Sequence, residues 1–187
     1  MMSRFDFQKT SLSGLKVVKR YRHFDKRGFF SRLFCASQLS KHGWIGPIEQ
    51  INHSTTRRCG TVRGMHYQTK PHSEMKLVTC IKGKIWDVAI DLRESSTTFL
   101  QWHGEILSDD DSSALLIPEG FAHGFQSLSD DVEILYCHSK VYSPDHERAL
   151  NPADPNLKLH WPIEISHMSE RDKNSPWITK NFKGISF

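Results

Sequence analysis

The stretch Pro118-Glu119-Gly120-Phe121-Ala122-His123-Gly124 decides the fold. Its proline and glycine turn the chain just ahead of its histidine. On both sides the residues alternate with a period of two, the mark of strands with one buried face. Met75–Ile81, Ile85–Leu92, Leu115–Ile117 and Val132–Tyr142 are rich in the β-branched and aromatic residues that suit a pleated surface. Lys82-Gly83-Lys84 and Ser129-Asp130-Asp131 are expected as hairpin turns. Helix signal is confined to Cys35–His42, with Gly43 as its stop. Short strands with turns at intervals of about ten residues predict an all-β sandwich or jelly-roll barrel with few short helices. Beyond it, Pro144, Pro152, Pro155, Pro162 and Pro176 punctuate an irregular C-terminal tail.

Composition narrows the function classes. A chain of 187 residues with 37% hydrophobic content suffices for one cored domain over 1–187 and is short for two. No stretch approaches the roughly 20 apolar residues that cross a bilayer, and the first residues offer no apolar signal core, so a cytoplasmic protein without a membrane partner is expected. Cys35, Cys59, Cys80 and Cys137 form no CxxC pair and are expected as reduced thiols. The net charge of +4 comes from scattered basic residues. That pattern suits a small phosphorylated ligand better than nucleic acid.

The alternation also sorts the reactive groups. In Val62-Arg63-Gly64-Met65-His66-Tyr67-Gln68 the pleat puts His66 and Gln68 on one face and Met65 and Tyr67 on the other. Around Tyr136, the residues Ile134, His138, Lys140 and Tyr142 share its face, opposite Leu135, Cys137 and Val141. The 118–124 stretch has the PxGxxH spacing of the second cupin motif. Ordinary cupins hold a metal with an HxH pair, a following glutamate and the histidine of that second motif. Here Gln68 stands where the second histidine would, and no glutamate follows at the usual spacing. A neutral amide is a poor ligand, so neither a metal nor another cofactor is expected. The remaining set is His66, His123, Tyr136, Lys76 and Arg63. It suits proton transfer beside a carbonyl, which needs a base of near-neutral pKa, a cation for the enolate oxygen and an acid to return the proton.

Seven ordered blocks carry a resemblance: Arg27–Phe30, Gln50–Ser54, Val62–Gln68, Lys76–Val78, Trp86–Arg93, Ile117–Phe125 and Leu157–Pro162. With these the chain resembles the dTDP-4-dehydrorhamnose 3,5-epimerase family over nearly its full length. The resemblance implies a homodimeric, metal-free jelly roll that inverts C3, C5 or both in a nucleoside-diphosphate 4-keto-6-deoxyhexose. It further implies His66 as base, Tyr136 as acid, and Asp172 pairing with His66 to fix its tautomer. Arg63 and Lys76 would contact the substrate, with Lys76 or His123 near the enolate. Arg27, Gln50, Asn52, Glu147 and Arg171 fall at positions that hold the nucleotide, and Tyr142 is kept in the substrate wall. The chain departs from the family at Arg32, where a glutamate is usual, at Cys137-His138-Ser139-Lys140-Val141, and in the lip at 147–152. Other readings stand beside this one: a ketoisomerase moving the carbonyl between C4 and C3, a non-catalytic cupin that binds sugar nucleotides, and a metal-dependent cupin oxygenase.

Overall fold

Each expected strand is present with its ends moved by one or two residues, except the last. A computed structural model describes residues 4–186. In chain order the strands are β1 (Phe5–Lys9), β2 (Lys16–Arg20), β3 (Arg22–Asp25), β4 (Gly28–Ser31), β5 (Gln50–Thr56), β6 (Val62–Gln68), β7 (Lys76–Lys82), β8 (Lys84–Asp91), β9 (Trp102–Ser108), β10 (Ser113–Ile117), β11 (Phe121–Ser127), β12 (Val132–His138) and β13 (Glu147–Ala149). Among the described residues helix is limited to α1 (Ala36–Leu39), which runs into a 3-10 turn over Ser40–His42, and to α2 (Glu170–Lys173). Gly43 stops the first of these at φ +107°, a left-handed conformation open to glycine.

The strands form two antiparallel sheets and a separate hairpin. The larger sheet has the order β1-β2-β10-β7-β12-β5, the smaller β13-β6-β11-β8-β9, and among the described residues β3 pairs only with β4. This is a jelly roll, and it corrects the reading of the two turns. Gly83, at φ +77°, takes the chain from β7 in one sheet to β8 in the other. The 129–131 turn brings it back from β11 to β12. Neither turn closes a hairpin, because β7 is flanked by β10 and β12 while β8 is flanked by β11 and β9. The corners lock together instead: Lys84 N–H donates to Ser129 Oγ at 3.0 Å. A second correction concerns β12, which stops at His138 rather than Tyr142. Its neighbour β7 begins opposite His138, at Lys76, so the ladder has no partner beyond that point. Ser139 is tied off against Met75, N–H to carbonyl at 3.1 Å and Met75 N–H to Ser139 Oγ at 2.8 Å.

Period-two alternation fills three apolar layers. Val78, Ile85, Leu115, Phe121, Phe125, Val132 and Ile134 are buried in the cluster between the sheets. Behind the larger sheet, Leu39 and Trp44 from the α1 segment cover Val18, Leu77, Leu116 and Cys137. Behind the smaller sheet, the tail lays Leu150, Leu157, Trp161, Ile178 and Phe182 against Trp86, Val88 and Ile90. The tail is therefore irregular in backbone yet packed on the smaller sheet through these side chains. All four cysteines are free, with Cys80 and Cys137 buried and Cys35 and Cys59 half-buried.

β6 and β11 approach closely where His66 pairs with His123 in the ladder. Two glycines permit it. A Cβ on Gly64 would lie 2.6 Å from Gly124 Cα and 2.9 Å from the His123 carbonyl oxygen, at a φ of +132°. Gly64→Ala should cost about 1–3 kcal/mol through this overlap and the strained φ, read as a lower urea midpoint at unchanged m-value. An unchanged midpoint would mean the strands have room to part there.

Candidate active site

The inner faces of the two sheets change character along their length. On β12, Val132 and Ile134 enter the apolar core, whereas Tyr136 and His138, next on the same face, line a cavity of about 280 Å³. On the facing sheet β6 contributes His66 and β11 contributes His123. Gln50 and Asn52 come from β5, Lys76 from the start of β7, Arg63 from β6, and Tyr142 and Glu147 from the lip. Nine of the expected site residues thus line one cavity. Lys140 does not follow the pleat and is exposed beyond the end of β12. Tyr142 reaches the site only because the chain folds back, its N–H donating to Gln50 Oε1 at 2.9 Å.

Two further expected residues lie on α2. Asp172, on α2, accepts a hydrogen bond from His66 Nε2 at 2.7 Å, and its side chain is 5% exposed against 31% for His66. Burial works against the Asp172 charge, but the hydrogen bond from His66 and the electrostatic attraction along it outweigh that and hold the carboxyl below its ordinary range. With Nε2–H so engaged, His66 Nδ1 carries the lone pair available to a substrate. Arg171 forms an ion pair with Glu147, which also accepts the Tyr142 hydroxyl at 2.6 Å. Arg27 is not brought to the cavity. It stands on the β3–β4 turn, pairs with Asp25 at 2.6 Å, and its side chain is 89% exposed.

Tyr136 is the electrostatic counterpart of His66. Burial pushes its phenol well above the ordinary range, so it keeps its proton. Ser54 Oγ lies 3.4 Å from its hydroxyl, and the His123 ring meets its edge at 6.1 Å between centroids. The base and the phenol therefore project from opposite sheets into one space.

Several groups escaped the sequence reading. Asp87 on β8 is fully buried and accepts from His123 Nε2 at 2.7 Å. Its signal was available, since Asp87 falls between Ile85 and Ala89 on the inward face of a strand, where a charge needs a partner. Glu74 takes up Lys76 Nζ at 3.1 Å and His138 Nδ1 at 2.9 Å. Burial opposes its charge, yet Lys76 and His138 keep it below the usual carboxylate range. Gln68 is a structural tie: its amide donates to the His72 and Val141 carbonyls and accepts the Ser143 N–H. Among the described residues no three His, Cys, Asp or Glu side chains gather as metal ligands do.

The profile described as dTDP-4-dehydrorhamnose 3,5-epimerase matches residues 9–180. The enzyme of that name from Methanothermobacter thermautotrophicus is 38% identical over 184 residues, 96% of this chain and 98% of its own length. The dTDP-6-deoxy-D-glucose-3,5-epimerase of Legionella pneumophila, solved in complex with dTDP-4-keto-L-rhamnose, superposes with a TM-score of 0.91 at 31% identity, covering 98% of both chains. A 3'-monoepimerase from Streptomyces bikiniensis, solved in complex with dTDP-quinovose, superposes at 0.85 with 31% identity, covering 91% of this chain and 86% of its own. A profile matched across most of the sequence, with relatives similar from end to end, establishes that the chain belongs to the dTDP-4-dehydrorhamnose 3,5-epimerase family.

Proposed function

We propose that this protein is a cofactor-independent epimerase that inverts C3, C5 or both in a nucleoside-diphosphate 4-keto-6-deoxyhexose. The observation that carries this is an imidazole tied to a buried carboxylate and a tyrosine hydroxyl entering one cavity from opposite sheets. His66 Nδ1 removes the proton beside the C4 ketone, and the imidazolium so formed is stabilised by the Asp172 carboxylate behind it. The electron pair moves to the ketone oxygen, where Lys76 Nζ, aided by His123, meets the enolate charge. One such donor is worth about 3 kcal/mol. Tyr136 then gives its proton to the opposite face of the carbon, and solvent returns a proton to the phenolate and takes one from His66. The substrate's two α-positions flank the same ketone, and the family contains both double and single epimerases by name, so the number of centres inverted is the finer question.

The same reading makes all 187 residues one catalytic domain, working in the cytoplasm without nucleic acid or membrane as partner. It also calls for a homodimer. Among the described residues the β3–β4 hairpin pairs with no other strand, and it exposes Phe24, Phe29 and Phe30 at 73%, 55% and 68%. Three phenylalanines on one exposed ribbon suit burial against a second copy, and Arg27 at its tip would enter that copy's nucleotide end. Sedimentation should return twice the 21.6 kDa of one chain, and Phe24→Asp/Phe30→Asp should return one. A monomer in the unaltered protein would remove the dimer.

Incubation in heavy water with 4-keto-6-deoxyhexose nucleotides tests the reaction. Deuterium should enter at C3, C5 or both. His66→Asn should lower turnover by roughly 100- to 10,000-fold with nucleotide affinity nearly unchanged, and Tyr136→Phe should retain exchange while losing inversion. If no nucleotide tested takes up deuterium, the epimerase reading is wrong.

Asp172 also links the site to stability. Its folded pKa lies below the unfolded value, as do those of Glu74 and Glu147. Such carboxylates stabilise the fold above the unfolded pKa of about 4 and lose that contribution as pH falls through the lower folded values. Denaturant midpoints should therefore drop below about pH 4, and Asp172→Asn should flatten that drop. A wild-type midpoint that stays level through this range would contradict the assignment.

A further inference from the structure

The strand that carries Tyr136 also carries His138, which the reaction above does not use. His138 and Lys76 face each other across the β12–β7 ladder, and both point into the cavity. Glu74 lies between their ends, with Oε1 taking Lys76 Nζ at 3.1 Å and Oε2 taking His138 Nδ1 at 2.9 Å. The carboxylate is 8% exposed and the lysine side chain 10%, so each is the other's charge partner in a place where an unpaired charge is costly.

The direction of the hydrogen bonds follows from an obligate donor. The Tyr142 backbone N–H can only donate, so Gln50 presents Oε1 to it, at 2.9 Å. The Gln50 amide nitrogen then faces Asn52 Oδ1, also at 2.9 Å. That leaves Asn52 Nδ2–H to meet His138 Nε2 at 3.4 Å. Nε2 must accept, so the ring proton is on Nδ1 and is donated to Glu74. One consistently oriented chain thus runs from the lip of the cavity, through Gln50, Asn52 and His138, to the Glu74 carboxylate, which Lys76 Nζ meets as a donor from the other side.

We propose that Glu74 and His138 are positioning residues: Glu74 fixes Lys76 Nζ where the enolate oxygen forms, and His138 joins that point to the Asn52–Gln50 edge that holds the nucleotide. The inference rests on the epimerase reading, and it gives His138 two separable duties, one through each ring nitrogen. Its Nδ1–H sets Glu74 and through it Lys76, which acts in the transition state and therefore in kcat. Its Nε2 sets Asn52, which acts in binding and therefore in KM.

Side-chain isosteres separate the two. The amide of asparagine reaches the place of Nδ1 and that of glutamine the place of Nε2. His138→Gln should lower kcat about tenfold or more with KM within about threefold, the loss expected for a hydrogen bond to a buried charged group. His138→Asn should keep kcat within about threefold and raise KM about tenfold. Glu74→Gln should lower kcat like His138→Gln, and adding His138→Gln to it should cost nothing further, because the two act through one contact. Nitrogen NMR of the unaltered protein, needing no variant to fold, should find His138 protonated at Nδ1 and bare at Nε2. A proton on Nε2, additive losses in the double variant, or equal effects of the two His138 variants on kcat and KM would overturn the proposal. Wild-type protein that exchanges no substrate deuterium would instead defeat the epimerase reading itself.

Discussion

A buried carboxylate must be met by a donor, and in this molecule that requirement ties the C-terminal tail to the centre of the sheet. Asp172 is 106 residues away from His66 in sequence and 2.7 Å from it in space. Ser169 caps the short α2 by accepting the Asp172 N–H, and Asp172 Oδ2 takes the Gly64 N–H, so the carboxylate is held from both sides of the contact. The four-residue α2 would not persist alone. It is placed by the tail's apolar side chains, Leu157, Trp161 and Phe182 among them, packing behind the smaller sheet. The base is thus completed only when the last part of the chain has folded back, which makes an irregular segment as necessary to the site as any strand.

The second constraint is a gradient along the sandwich. Small antiparallel sandwiches must fill the space between their sheets, and one end here does so with Phe125, Ile85, Val132 and Ile134. At the other end the same inward positions carry His66, His123, Tyr136 and Lys76, and the space opens into a cavity. The apolar floor excludes water beneath the site and strengthens every interaction above it. It also explains why each imidazole on these walls leans on a carboxylate: His66 on Asp172, His123 on Asp87, His138 on Glu74. An unsupported ring in such a place would rotate among hydrogen-bonding options, and a tied one presents a fixed nitrogen.

Much of this was legible in the chain because one-dimensional alternation survives folding. The period of two placed Tyr136 and His138 on one face and His66 with Gln68 on one face, and proline with glycine located the corner before β11. What alternation does not encode is the sheet to which a strand belongs. Lys82-Gly83-Lys84 has the composition of a hairpin turn and the role of a corner between sheets, because strand partners are chosen by long-range packing. Likewise β12 was drawn too long, since Tyr142 fits the alternation while its ladder partner ends at Lys76. Asp87 and Glu74 differ in this respect: the pleat shows that an inward Asp87 needs a partner, and Glu74 stands in the loop before β7, yet neither names in sequence the histidine or lysine that meets it. Arg27 was placed with the nucleotide by resemblance, and its position on an outlying hairpin follows from a pairing that no periodicity reports.

Under the proposed reaction the charges of the site account for its resetting as well as its forward step. Forming the enolate creates a negative oxygen between an imidazolium on one wall and an ammonium on the other, both already backed by ionised carboxylates. Little has to reorganise when the charge appears, which is where preorganised polar sites gain over water. Delivery of the Tyr136 proton then leaves a phenolate where burial disfavours the charged form. That anion is the least stable group in the cavity and the first to regain a proton. Desolvation that keeps the phenol protonated at rest thus also drives its recovery, so the acid is restored without a dedicated cofactor, and a second α-carbon can be served by the same residue before the sugar leaves.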